Sequence, residues 1–177
     1  MFFIPGWLIA IVTFPGVIVH EMAHQFFCRL SRVAVLDVCY LRIGNPAGYV
    51  IHETPRYPWQ HILIGIGPFI VNSIVGALIA APGAIPVLQF DSGGLLDYFL
   101  IWLGVSIAMH AFPSTGDAKS IWSMLSKQPK FSFARIVGMP IVGIIYLGAF
   151  GSFFWLDAIY GVGLAMFLPK LIISQMA

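Results

Sequence analysis

Residues 59–81, WQHILIGIGPFIVNSIVGALIAA, run for 23 positions without Asp, Glu, Lys or Arg. A helix needs about 20 apolar residues to cross a hydrocarbon core of roughly 30 Å. Four more stretches are mostly apolar over a comparable length, each with only one or two charged residues: residues 4–30, interrupted by Pro15, then 95–112, 133–151, and 154–173 with Pro169 near its end. The composition agrees, with 59% hydrophobic and 9% charged residues and a mean hydropathy of +0.92. A soluble domain carries about 25% charged residues, so this chain lacks the ions to coat a water-facing surface. The expected fold is an all-α integral membrane protein with about five transmembrane helices. There is no internal repeat, low-complexity tract or separating linker, so its 177 residues are expected to form one integrated bundle.

The net charge of +2 is too small to suggest nucleic acid as a partner. Its distribution says more. Arg29, Arg32, Arg42 and Arg56 surround the first connection between runs, Lys119, Lys127, Lys130 and Arg135 occupy the third, and Lys170 lies near the C-terminus. The second connection, residues 82–94, and the turn near Asp157 have none. With five crossings, all nine basic residues share one face. The positive-inside rule makes that face cytoplasmic, with the N-terminus outside and the C-terminus inside a cell membrane.

The segment 33–53, VAVLDVCYLRIGNPAGYVIHE, is rich in Val, Ile, Leu and Tyr and is broken by GNPAG. It predicts two strands around a turn, lying at the membrane surface. Residues 117–127 predict a short interfacial helix. The opening MFFIPGWLIA lacks the basic region and cleavage site of a signal peptide, so it is expected to remain as part of the first helix. Two cysteines, Cys28 and Cys39, are too few for a disulfide framework, and free thiols are expected.

The first run holds ionisable residues at HEMAH, His20 to His24. Such groups are costly in hydrocarbon and need a compensating partner. On a helix, positions i and i+4 share one face, so both imidazoles can reach one metal ion and Glu21 can act on a water beside it. A catalytic zinc takes three protein ligands and keeps one open position. The third is expected in another run at matching depth, and MHAFPSTGDAKSIW offers two candidates, His110 and Asp117. His110 lies about 22 Å along its helix from Leu95, while His20 and His24 lie about 24 and 30 Å from Ile4. Pro113 and Gly116 are expected to break the helix and let the chain bend toward the site.

This arrangement resembles the site-2 protease family of intramembrane zinc metalloproteases. His20, Glu21 and His24 match the family's H-E-x-x-H. Its Gly-Pro-x-x-Asn appears here as Gly67-Pro68-Phe-Ile-Val-Asn72, one residue longer. Its last motif, Asn-x-x-Pro followed by Leu-Asp-Gly, is met by His110-Ala-Phe-Pro113 and Gly116-Asp117-Ala118, one residue closer together. The likeness spans residues 17–125 and leaves the last two runs without a counterpart.

The resemblance implies a three-helix catalytic core within residues 1–128, with residues 129–177 adding two helices. It also implies one zinc ion held by His20, His24 and Asp117, with Glu21 as general base. The substrate would be a peptide bond in or near the transmembrane segment of another membrane protein. His110 stands where the family has Asn, and its imidazole could donate to a developing oxyanion. The alternative makes His110 the third ligand and Asp117 its neighbour. A strand edge at residues 48–53 could pair with an unwound substrate, and water would enter from the cytoplasmic side near residues 113–116. Two other readings use the same residues: a metal or proton transporter, and a non-catalytic relative that binds membrane partners.

Overall fold

The computed structural model describes residues 6–175, and the start of the expected first run, residues 4–5, lies outside them. The chain is mostly helical with one small sheet: α1 (Gly6–Val12), α2 (Phe14–Leu30), β1 (Val35–Cys39), β2 (Tyr49–His52), α3 (Pro58–Gln89), α4 (Leu95–Met109), α5 (Thr115–Ser126), α6 (Phe133–Ser152), α7 (Leu156–Val162) and α8 (Leu168–Ser174). A π-helical turn, Gly163–Phe167, joins α7 to α8. Two helices, α3 and α6, are long and apolar enough to cross a membrane, and α1 with α2 makes a third if the bent pair is one span. Leu78, Leu95 and Leu147 are exposed on the outside of the bundle, the pattern of a surface in contact with lipid.

The expected first run is two helices meeting at 90°. Pro15 withdraws one N–H from the first turn of α2, and at the bend the Ile9 carbonyl accepts from both the Thr13 N–H at 2.9 Å and the Thr13 hydroxyl at 2.7 Å. At the next run the helix outlasts the expectation, passing through Pro82 and Pro86 to Gln89. Glycines hold this upper part of α3 against α4: a Cβ on Gly76 would lie 2.8 Å from the Ala108 nitrogen and the Gly104 oxygen. Such small-residue seams let two apolar helices approach by their backbones.

The third run is shorter than expected, because Pro113 excludes Phe112 from helical geometry and α4 closes at Met109. The fourth matches. The fifth is interrupted: Pro169 lacks an N–H and its ring crowds the preceding turn, which widens to π winding. The expected strands form an antiparallel pair, Val38 opposite Val50 and Cys39 opposite Tyr49, with a bulge between Val35 and Asp37.

The central α3 contacts α2, α4, α5, α6 and α8. Its first turn is tied to the end of α2 by Gln60, whose Oε1 accepts from the Tyr57 and Arg56 N–H groups while Nε2 donates to the Ser31 carbonyl, each at 2.9 Å. Two apolar clusters flank it. Phe27, Cys28, Val33 and Ile64 lock α2 to α3. Ala118, Ile121 and Leu125 lock α5 to Val142 and Ile145 of α6. Both cysteines are free thiols, Cys28 buried and Cys39 half-buried.

Candidate metal centre

His20 and His24 lie one turn apart on α2, with their Nε2 atoms 3.2 Å from each other. Each Nδ1 faces a backbone carbonyl, His110 at 2.7 Å and Ile64 at 3.0 Å. A carbonyl oxygen can only accept, so each Nδ1 carries the proton and each Nε2 of the neutral ring presents a bare lone pair. Two such lone pairs face to face are satisfied only by a positive charge between them. Asp117 Oδ1 stands 3.6 Å from His24 Nε2. One donor atom from each of His20, His24 and Asp117 falls within 4.8 Å of the others.

The donor set fits a metal ion. Two nitrogens bound at about 2.0–2.1 Å in tetrahedral geometry stand roughly 3.3 Å apart, close to the spacing seen. Metal-bound imidazoles also donate their other N–H to a carbonyl or carboxylate, which fixes tautomer and ring orientation. The two carbonyls are available for local reasons. Pro68 has no N–H, so the Ile64 carbonyl four residues earlier loses its helical partner, and His24 takes it. His110 caps the C-terminus of α4, where carbonyls are left unpaired by the end of the ladder.

Asn72, fully buried on α3, places Nδ2 3.1–3.2 Å from the carbonyls of Gly16, Ile107 and His110, which share its two N–H protons. It thereby clamps α2, α3 and α4 around the group that orients His20. Gly16 has to be glycine there, since a Cβ would run into the Ser106 carbonyl and the His110 ring.

Asp117 serves twice. Its Oδ2 accepts from the Ser114 N–H at 2.8 Å and the Ser114 hydroxyl at 2.6 Å, closing a capping box at the start of α5. Oδ1 is left to face His24. Gly65 lets α5 lie close to α3, since a Cβ there would stand 2.7 Å from Ile121 Cδ1.

His110 is placed differently from either expectation. Its Nε2 lies 2.8 Å from Thr13 Oγ1, at the bend between α1 and α2. With the only Thr13 hydroxyl proton on the Ile9 carbonyl, His110 Nε2 is the donor and its Nδ1 is an acceptor. A neutral ring in that state has no N–H left for an oxyanion, and its nitrogens are not in the donor set. What His110 brings to the cluster is its backbone oxygen.

A cavity of about 230 Å³ opens onto this cluster. His20, Glu21, His110 and Ser114 line it, with Pro46, Ala47 and Gly48 from the strand connection and Ser152 and Asp157 from the C-terminal helices. Glu21 is buried, and Gly48 packs against it so closely that a Cβ would stand 2.7 Å from Glu21 Cγ. The start of the second strand therefore lies directly on the carboxylate. A second pocket of about 30 Å³, lined by His52, His61, Asp117 and Ser120 among others, is large enough for a water.

Sequence reasoning missed Thr13, Gly16 and Ser114, and read Gly48 as part of a strand edge without its contact to Glu21. Only Ser114 had a readable signal, as Ser-x-x-Asp ahead of an apolar run. Compared with protein-family models, curated proteins and solved structures, the chain finds no match.

Proposed function

We propose that this chain is an intramembrane zinc metalloprotease of the site-2 type, cleaving a peptide bond in or near the transmembrane segment of another membrane protein. The observation that carries the reading is the convergence of donor atoms from His20, His24 and Asp117 within 4.8 Å of one another, with His20 and Glu21 lining one cavity. In this reading the chain crosses the membrane five times, α1–α2 and the α7–α8 segment each counting as one bent span. The N-terminus is outside and the C-terminus cytoplasmic, and α2, α3 and α4 with the turn into α5 make the catalytic core.

His20, His24 and Asp117 would hold the zinc. When bound, zinc supplies Lewis acidity that eases loss of a proton from water and polarises a carbonyl. Glu21 takes the water's proton on its carboxylate and delivers it to the leaving amine. Gly48 and the burial of Glu21 hold that carboxylate in place. The His110 carbonyl, steadied by Asn72, keeps His20 in the tautomer whose Nε2 is free. Through Nε2 and Thr13 the same residue holds the bend of the first span, so His110 acts as a positioning residue. A transmembrane substrate must unwind before attack, and the edge of β2 beside Gly48 offers backbone partners for the extended stretch.

The test uses the full chain in liposomes, with a quenched-fluorescence peptide whose apolar segment of about 20 residues carries helix-breaking positions. The expected result is cleavage by the parent and none by Glu21→Gln, which still retains its metal. Cleavage by that variant at the parental rate would refute the base. Ion movement by the parent without peptide turnover would favour a transporter.

A further inference from the structure

An open groove of about 560 Å³ lies where α2 ends and α3 begins, and it shares no lining residue with the cavity at the metal centre. Arg32 and Arg56 line it, both exposed. Among the described residues the only ion pair is that of His24 with Asp117, so neither guanidinium is neutralised by a carboxylate. Glu53 is the single acidic residue in the lining. Ser31 also lines the groove; it is 3% exposed and its Oγ has no hydrogen-bond partner. A buried hydroxyl in that state keeps unused hydrogen-bonding capacity at the groove wall. Tyr57 and Trp59, from the first turn of α3, complete one wall, so the positive end of a 32-residue helix dipole borders the groove.

We propose that this groove binds the phosphodiester headgroup of an anionic phospholipid. Two guanidinium forks match phosphate oxygens, and the Ser31 hydroxyl supplies a further donor. The surroundings choose a lipid over free phosphate. Leu30, Tyr57 and Trp59 are all more than half exposed at the rim, an aliphatic and aromatic border suited to the start of an acyl chain. The groove also lies at the ends of two apolar helices, on the face where the basic residues gather, and anionic lipids concentrate beside such segments. The inference needs only a membrane-embedded chain and is independent of the hydrolase reading.

The test is native mass spectrometry of the full chain in detergent, titrated with dioctanoyl phosphatidylglycerol, dioctanoyl phosphatidylcholine or inorganic phosphate. The expected result is one retained phosphatidylglycerol per chain, at least tenfold weaker retention of phosphatidylcholine, and no displacement by equimolar phosphate. Arg32→Asn combined with Arg56→Gln should weaken retention about twenty-five-fold, roughly fivefold per arginine. Asn is chosen because Arg32 has φ 56 and Asn tolerates that region. Arg56→Gln alone, at an exposed site, carries the test if the pair fails to fold. Arg42→Gln, outside the groove, should bind as the parent does. Equal retention of the two lipids, or binding by Arg56→Gln within twofold of the parent, would overturn the site. Displacement by equimolar phosphate would overturn the lipid assignment.

Discussion

The two halves of α3 are built from the same materials and do different work. Both are apolar, rich in glycine and interrupted by proline. In the first half, Pro68 releases the Ile64 carbonyl to His24, Gly65 makes room for Ile121 of α5, Gly67 takes the Phe27 ring, and Asn72 holds three carbonyls of neighbouring helices. In the second half, Gly76 and Gly83 meet the backbone of α4 directly, and Pro82 and Pro86 sit in a helix that runs on past them. A proline in an apolar helix orphans a carbonyl wherever it stands. The orphan becomes part of a site only where a donor such as His24 lies within reach.

Five substitutions would break or sharpen that contrast. Asp117→Ala removes one of three ligands and leaves two, too few for a stable site. Metal retained by the purified variant should fall at least tenfold below the parent, with no loss of helix by circular dichroism. Gly76→Leu should act on the other half only. Its side chain meets the backbone of α4, so thermal unfolding should report a loss of about 3 kcal/mol, while the folded fraction keeps parental metal affinity. Pro68→Ala is the sharpest comparison. The restored N–H competes with His24 for the Ile64 carbonyl, and metal affinity by competition with a chelator should drop about tenfold. Pro82→Ala should leave that affinity unchanged. The smallest effect belongs to Thr13→Val, which removes one hydrogen bond worth about 1 kcal/mol to His110. It should weaken metal binding about fivefold at most, and Thr13→Ser should restore it.

What could be read in advance follows the same division. The H-E-x-x-H pair was legible because helical periodicity alone puts His20 and His24 on one face. Asp117 was legible because Pro113 forces the chain out of α4 just before it. The strand pair was written in its β-branched residues and the GNPAG turn. The 90° bend after Val12 was not, since Pro15 marks a break without its angle, and the angle involves a contact between Thr13 and His110, 97 positions apart. Nor could the sequence tell which atom of His110 faces the cluster. A residue name implies a side chain, and here the carbonyl makes the contact. The last run misled for another reason: Pro169 was visible, but whether a helix kinks, stops or widens at proline depends on its neighbours.

The central claim is a metal ion held by two imidazoles of α2 and the carboxylate that opens α5. X-ray absorption at the zinc edge, on the full chain loaded with zinc, tests it most directly. The account predicts scattering from two imidazoles and an added oxygen ligand, with that oxygen contribution altered in Asp117→Ala and the imidazole signal lost when His20 and His24 are both replaced by Ala. Zinc bound without imidazole scattering, or a spectrum identical in the parent and Asp117→Ala, would contradict it.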